Sequence, residues 1–77
     1  MIQAKKQSRR AAVGIDDWKQ PTFERILTEA GFSHSTGPGV TKDTRIITVY
    51  YQPADFGRLT RTLQRCQREA AEFKPKS

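Results

Sequence analysis

Arg58, Arg61, Arg65 and Arg68 recur at intervals of three and four residues, in a stretch from Pro53 to Phe73 that holds no lysine. At about 100° per residue they share one broad side of a helix. A planar guanidinium suits bidentate contact with phosphate or carboxylate better than an ammonium does. The same spacing also allows pairs four residues apart, Arg65 with Glu69 and Arg68 with Glu72. Those pairs have the acid on the C-terminal side, the weaker order, and each contributes only about a few tenths of a kcal/mol. They leave Arg58 and Arg61 unmatched. A second basic cluster, Lys5, Lys6, Arg9 and Arg10, stands near the N-terminus. Fourteen Lys and Arg against eight Asp and Glu give a net charge of +6, an excess that favours polyanionic partners. The two clusters together would follow a nucleic-acid backbone by charge rather than read bases.

The remaining reactive side chains do not assemble into a catalytic pattern. Cys66 is the single cysteine, which excludes an intramolecular disulfide and fits a reducing compartment. It falls on the apolar side of the same helix and reads as a small core residue. His34 has no sequence neighbour that would orient it as a base. Gly37-Pro38-Gly39-Val40-Thr41-Lys42 lacks the glycine before the lysine, and the following helix, that a phosphate-binding loop needs. Asp16 and Asp17 suit a helix start, and Asp43 and Asp55 have no partner spacing. The sequence therefore predicts no enzyme, metal site, cofactor or small-molecule substrate. No signal-peptide pattern or bilayer-length apolar run occurs, and the expected location is the cytoplasm.

The elements that must position these groups follow from periodicity. A chain of 77 residues is one small domain with a limited core. Residues 1–15 read as a flexible basic tail, 16–73 as the domain and 74–77 as a second tail. A first helix is expected from about Asp16-Asp17, with Asp17 and Gln20 as a capping box and Phe23, Ile26, Leu27 and Ala30 as its inward stripe. Gly31 is its left-handed stop, with Phe32 folding back in a Schellman cap. Residues 32–36 read as a short strand, Gly37-Pro38-Gly39 as a turn, and Thr44 to Gln52 as the strongest strand. The last helix runs from Pro53 to Phe73, burying Phe56, Leu59, Leu63, Cys66, Ala70 and Phe73. The resulting fold is α+β, an αββα two-layer domain.

The strand Thr44 to Gln52 is apolar on both faces, with Ile47, Val49 and Tyr51 on one and Ile46, Thr48 and Tyr50 on the other. Helices cover one face, so Ile46, Thr48 and Tyr50 are expected to meet a partner, most simply a second copy in a homodimer. The order lacks the aromatic and glycine pattern of an RNA-recognition motif, the Gly-x-x-Gly of a KH domain and the paired cysteines of a zinc module. Two functions are expected. The first is a basic DNA- or RNA-binding protein contacting phosphates through Arg58, Arg61, Arg65 and Arg68, with Lys5, Lys6, Arg9 and Arg10 alongside. The second is a non-enzymatic interaction module, a regulator or inhibitor of the kind phages and mobile elements carry, docking on an acidic surface of a larger complex.

Overall fold

Two helices pack on one face of a three-stranded antiparallel sheet, in the order βαββα, in a computed structural model that describes residues 9–73. The elements are β1 (Arg9–Asp16), a 3-10 turn (Asp17–Lys19), α1 (Gln20–Glu29), β2 (Ser33–Pro38), β3 (Thr44–Tyr51), a second 3-10 turn (Pro53–Asp55) and α2 (Phe56–Ala71). The expected α+β class and the helix, strand, strand, helix succession are present, preceded by a strand, Arg9–Asp16, in place of the last residues of the expected tail. Lys5, Lys6 and residues 74–77 lie outside the described residues.

The strand β1 is the main correction to the expected organisation. Ala11, Val13 and Ile15 alternate onto the helix-covered face opposite Val49, Ile47 and Arg45 of β3. Ile15 is buried, and Ala11 and Val13 pack against the core. Two alanines and a glycine weaken the strand signal, so burial against β3 and the helices decides what local propensity does not. β3 is the central strand, with β1 and β2 on either side and antiparallel to it, so β1 and β2 run parallel to each other with α1 crossing between them.

The first helix starts later than expected and without the capping box. Asp17 lies in a 3-10 turn, neither helix start carries a side-chain cap, and the Asp17 amide donates to the Asp43 carbonyl at 2.8 Å. The C-terminal stop is as expected. Gly31 takes φ 84°, its amide donates to Thr28 O at 3.0 Å, and the Phe32 amide donates to Leu27 O at 3.0 Å. This is a Schellman cap, and Phe32 is buried behind it.

The turn between β2 and β3 comes later than Gly37-Pro38-Gly39. Gly37 and Pro38 belong to β2, and residues 39–43 make the connection. The Gly39 amide donates to Thr44 O at 3.0 Å, and a Cβ at Gly39 would stand 2.7 Å from the Thr44 carbonyl carbon. Only glycine allows that approach. The core is Ile15, Phe23, Ile26, Leu27, Phe32, Ile47, Val49, Leu59, Cys66 and Ala70. Phe56 and Phe73, expected inside, are instead 56% and 64% exposed. Phe56 opens α2 over the edge of the sheet, and Phe73 follows the helix end at Ala71.

Candidate nucleic-acid interface

The helix α2 buries Leu59, Cys66 and Ala70, with Leu63 partly buried, and this seam sets the direction of every other side chain on it. Relative to the seam, Arg58 and Arg65 fall about 100° to 120° away, on the flank beside α1, and Arg61 and Arg68 fall at the far pole. The four arginines therefore divide into two pairs with different surroundings.

Arg58 closes the end of α1. Its Nη1 donates to the Ala30 carbonyl at 2.6 Å, its guanidinium lies 4.3 Å from the centre of the Phe32 ring, and its Nη2 stands 3.8 Å from Asp55 Oδ2. The carbonyl it occupies is one that a helix terminus leaves without an intrahelical partner. Arg65 belongs to a ring of charges between the helices. It donates from Nε to Glu69 Oε2 at 2.7 Å and reaches Glu29 Oε1 at 3.6 Å. Arg25 of α1 completes the ring, to Glu29 at 3.4 Å and Glu69 at 3.2 Å. The hydrogen bond and charge of Glu69 raise the Arg65 pKa above its ordinary value. Hydrogen bonds from Arg65 and then Arg25 hold the Glu69 carboxyl below the usual glutamate range.

Arg61 and Arg68 remain. Both are exposed, neither forms an ion pair among the described residues, and the expected Arg68 to Glu72 pair is not formed. Seven residues separate them, so they project from the same pole about 10 Å apart along the axis. Arg9 and Arg10 are exposed at the start of β1 but point to opposite faces, Arg9 toward the helix side opposite Tyr51 and Arg10 onto the uncovered face opposite Tyr50. The α2 pole and Arg10 thus face away from each other rather than forming one strip.

Ile46, Thr48 and Tyr50 lie on the sheet face turned away from the helices. Ala12 and Gly14 of β1, and Ser33, Ser35 and Gly37 of β2, flank them. Tyr50 is 38% exposed, while Ile46 and Thr48 are half-buried by their neighbours in the sheet. The result is a flat face of small and hydroxylated side chains rather than the apolar surface that β3 alone suggests.

Sequence reasoning missed an apolar groove between β1 and α2, lined by Ala11, Phe56, Leu59, Thr60, Leu63 and Gln64 among others, with a volume of about 280 Å³. The ring of Phe56, which lines it, stands 5.9 Å centre to centre from that of Tyr51. Its signal was the phase of Phe56, about 60° from the buried seam and toward the sheet edge. His34 is half-buried in β2, its Nδ1 3.2 Å from Phe32 O. Cys66 is fully buried and free, and burial pushes its thiol pKa up to about 11. Among the described residues no three His, Cys, Asp or Glu side chains form a metal-binding group, and no helix is long and apolar enough to cross a membrane. No family model, curated protein or solved structure matches the chain.

Proposed function

We propose that this chain is a small non-enzymatic protein that binds nucleic acid through its phosphate backbone, with Arg61 and Arg68 on the outer pole of α2 as the principal contacts. The observation that carries this reading is the division of the arginines. Arg58 and Arg65 are held by groups of the chain itself, whereas Arg61 and Arg68 present guanidinium groups to solvent without an ion-pair partner among the described residues. The charges of Lys5, Lys6, Arg9 and Arg10 add to the same positive field, which acts over distance and steers a polyanion. Backbone contacts made by guanidinium groups position a nucleic acid without reading its bases, which favours binding that is indifferent to sequence. The buried free thiol supports a reducing, cytoplasmic setting.

Fluorescence anisotropy with labelled duplex and single-stranded oligonucleotides, over a series of salt concentrations, tests the proposal. Arg61→Gln with Arg68→Gln is expected to leave folding within about 0.5 kcal/mol of the parent, because exposed substitutions cost little. It lowers the slope of log affinity against log salt by about 1.8 on duplex DNA, or about 1.4 on a single strand, at about 0.9 and 0.7 per lost contact. Unchanged affinity and slope overturn it.

A second reading, a protein-interaction module on an acidic surface of a larger complex, is supported by the groove beside Phe56, since exposed apolar surface of this kind marks protein contacts. Binding to a protein that survives high salt and is lost in Phe56→Glu, with no oligonucleotide binding, favours it over the first.

A further inference from the structure

The strand β1 is an edge strand, and the side of its backbone turned away from β3 has no partner among the described residues. Edge strands are ordinarily shielded by proline, a bulge, brevity or a charge in mid-strand. The opposite edge, β2, is six residues long and ends in Gly37-Pro38. β1 has none of these devices. It runs eight residues in unbroken register with β3, contains no proline, and carries no charge over Ala11-Ala12-Val13-Gly14-Ile15. The groove lined by Ala11, Phe56 and Leu63 lies along the same edge, so unpaired backbone and exposed apolar surface coincide.

The charges at the ends of β1 indicate what covers it. Arg9 and Arg10 stand at one end, Asp16 at the other and Asp17 just beyond. We infer that β1 pairs antiparallel with β1 of a second copy about a two-fold axis at Val13, joining two three-stranded sheets into one of six strands. In that register Arg10 stands opposite Asp16 of the second copy, and Ala12 opposite its Gly14. Directly opposed residues of an antiparallel pair share a face, and the register requires this of Arg10 with Asp16 and of Ala12 with Gly14. Strand alternation within one copy places all four on the uncovered face. Symmetry makes the charge pair twice, and the same surface serves both copies, as an isologous interface must. Small side chains at the centre offer no obstacle to close approach.

The axis stands normal to the sheet, so both α2 helices remain on one side, antiparallel and flanking the axis, where each closes the groove of the other. The uncovered sheet face is the weaker site for a second copy because Ser33, Ser35, Thr48 and Arg10 make it polar, and among the described residues Tyr50 is the large exposed apolar side chain on it. The pairing stands independently of nucleic-acid binding, although it would place Arg61 and Arg68 of both copies on one surface.

Analytical ultracentrifugation of the full chain provides the test. The parent is expected to associate to twice 8.8 kDa. Arg10→Asp and Asp16→Arg each set like charges opposite one another at both symmetry-related positions, and each weakens the dimer by about tenfold or more. An equimolar mixture of the two variants restores every pair and recovers the parent's association. Circular dichroism melts check that each variant is folded. Phe56→Glu, at a position already exposed in the monomer, is a second variant expected to weaken the dimer. A parent that stays monomeric at high concentration overturns the inference, as does a mixture that associates no better than its components. Association that none of the substitutions alters also overturns it, in favour of another surface.

Discussion

Arg58 and Arg61 are three residues apart on one helix and stand in different surroundings. The guanidinium of Arg58 satisfies the Ala30 carbonyl, lies over the Phe32 ring and approaches Asp55, so it joins the end of α1 to the start of α2. Arg58→Ala is expected to destabilise the fold by about 1–2 kcal/mol, the sum of a lost charged hydrogen bond and a lost cation–ring contact, while Arg61→Ala stays within about 0.5 kcal/mol. Urea unfolding at neutral pH measures both. Cys66 supplies a pH-dependent counterpart. Its thiol is neutral in the core and its pKa rises to about 11 from 9.0, so the folded state disfavours the thiolate. The stability this confers is fully present below pH 9 and is lost as pH rises toward 11. The stability difference between the parent and Cys66→Ala should therefore narrow over that interval. Thiol-directed labelling of the folded chain should be slow until denaturant opens the core.

At the scale of elements, α2 shows how far periodicity carries. Its repeat correctly places Leu59, Cys66 and Ala70 inside, yet it gives Leu63 and Phe56 the same standing, and the structure grades them. Leu59 is 1% exposed and Leu63 lines the open groove. Leu59→Ala should cost about 2–5 kcal/mol and Leu63→Ala about 1–2 kcal/mol, because the second leaves a surface notch rather than a closed cavity. Thermal melts of the two variants rank them. The same limit explains β1. Its inward residues Ala11, Val13 and Ile15 alternate, but two of the eight positions are alanine and one is glycine, and the basic Arg9 and Arg10 make the segment resemble a tail. A strand of this kind is stable because β3 and the helices are there to receive it, which no local window reports.

Across the whole molecule, the two helices are held together by apolar packing and by the ring of Arg25, Glu29, Arg65 and Glu69. Each pair in it is partly exposed and weak alone, and the closed arrangement is what gives it weight. Hydrogen bonds from Arg65 and Arg25 keep the Glu69 carboxyl below the ordinary glutamate value of 4.5, so the ring's contribution is present above that value and is lost as pH falls through the lower folded-state value. The unfolding midpoint should decline as pH falls below the ordinary glutamate value of 4.5, and Glu69→Gln should flatten that decline. Denaturation across a pH series reads the difference.

The features legible in the chain of residues alone are those whose cause is local. The Schellman cap at Gly31 follows from a residue free to take a positive φ followed by a phenylalanine. The density of β-branched and aromatic side chains over Thr44–Tyr51 marks that segment as a strand. The seam of α2 follows from spacing alone. Tertiary structure decided what depends on distant neighbours. It made β3 central by pairing it with Arg9–Asp16 as well as with β2, and it turned the two apolar faces of β3 into one core face and one flat, small-residue face. It divided the arginines, because the Ala30 carbonyl lies 28 residues from Arg58 and the carboxylate of Glu29 is presented by the other helix. Charge and period can place four guanidiniums on one side of a rod. Which of them are free to meet a partner depends on what the rest of the chain brings beside them.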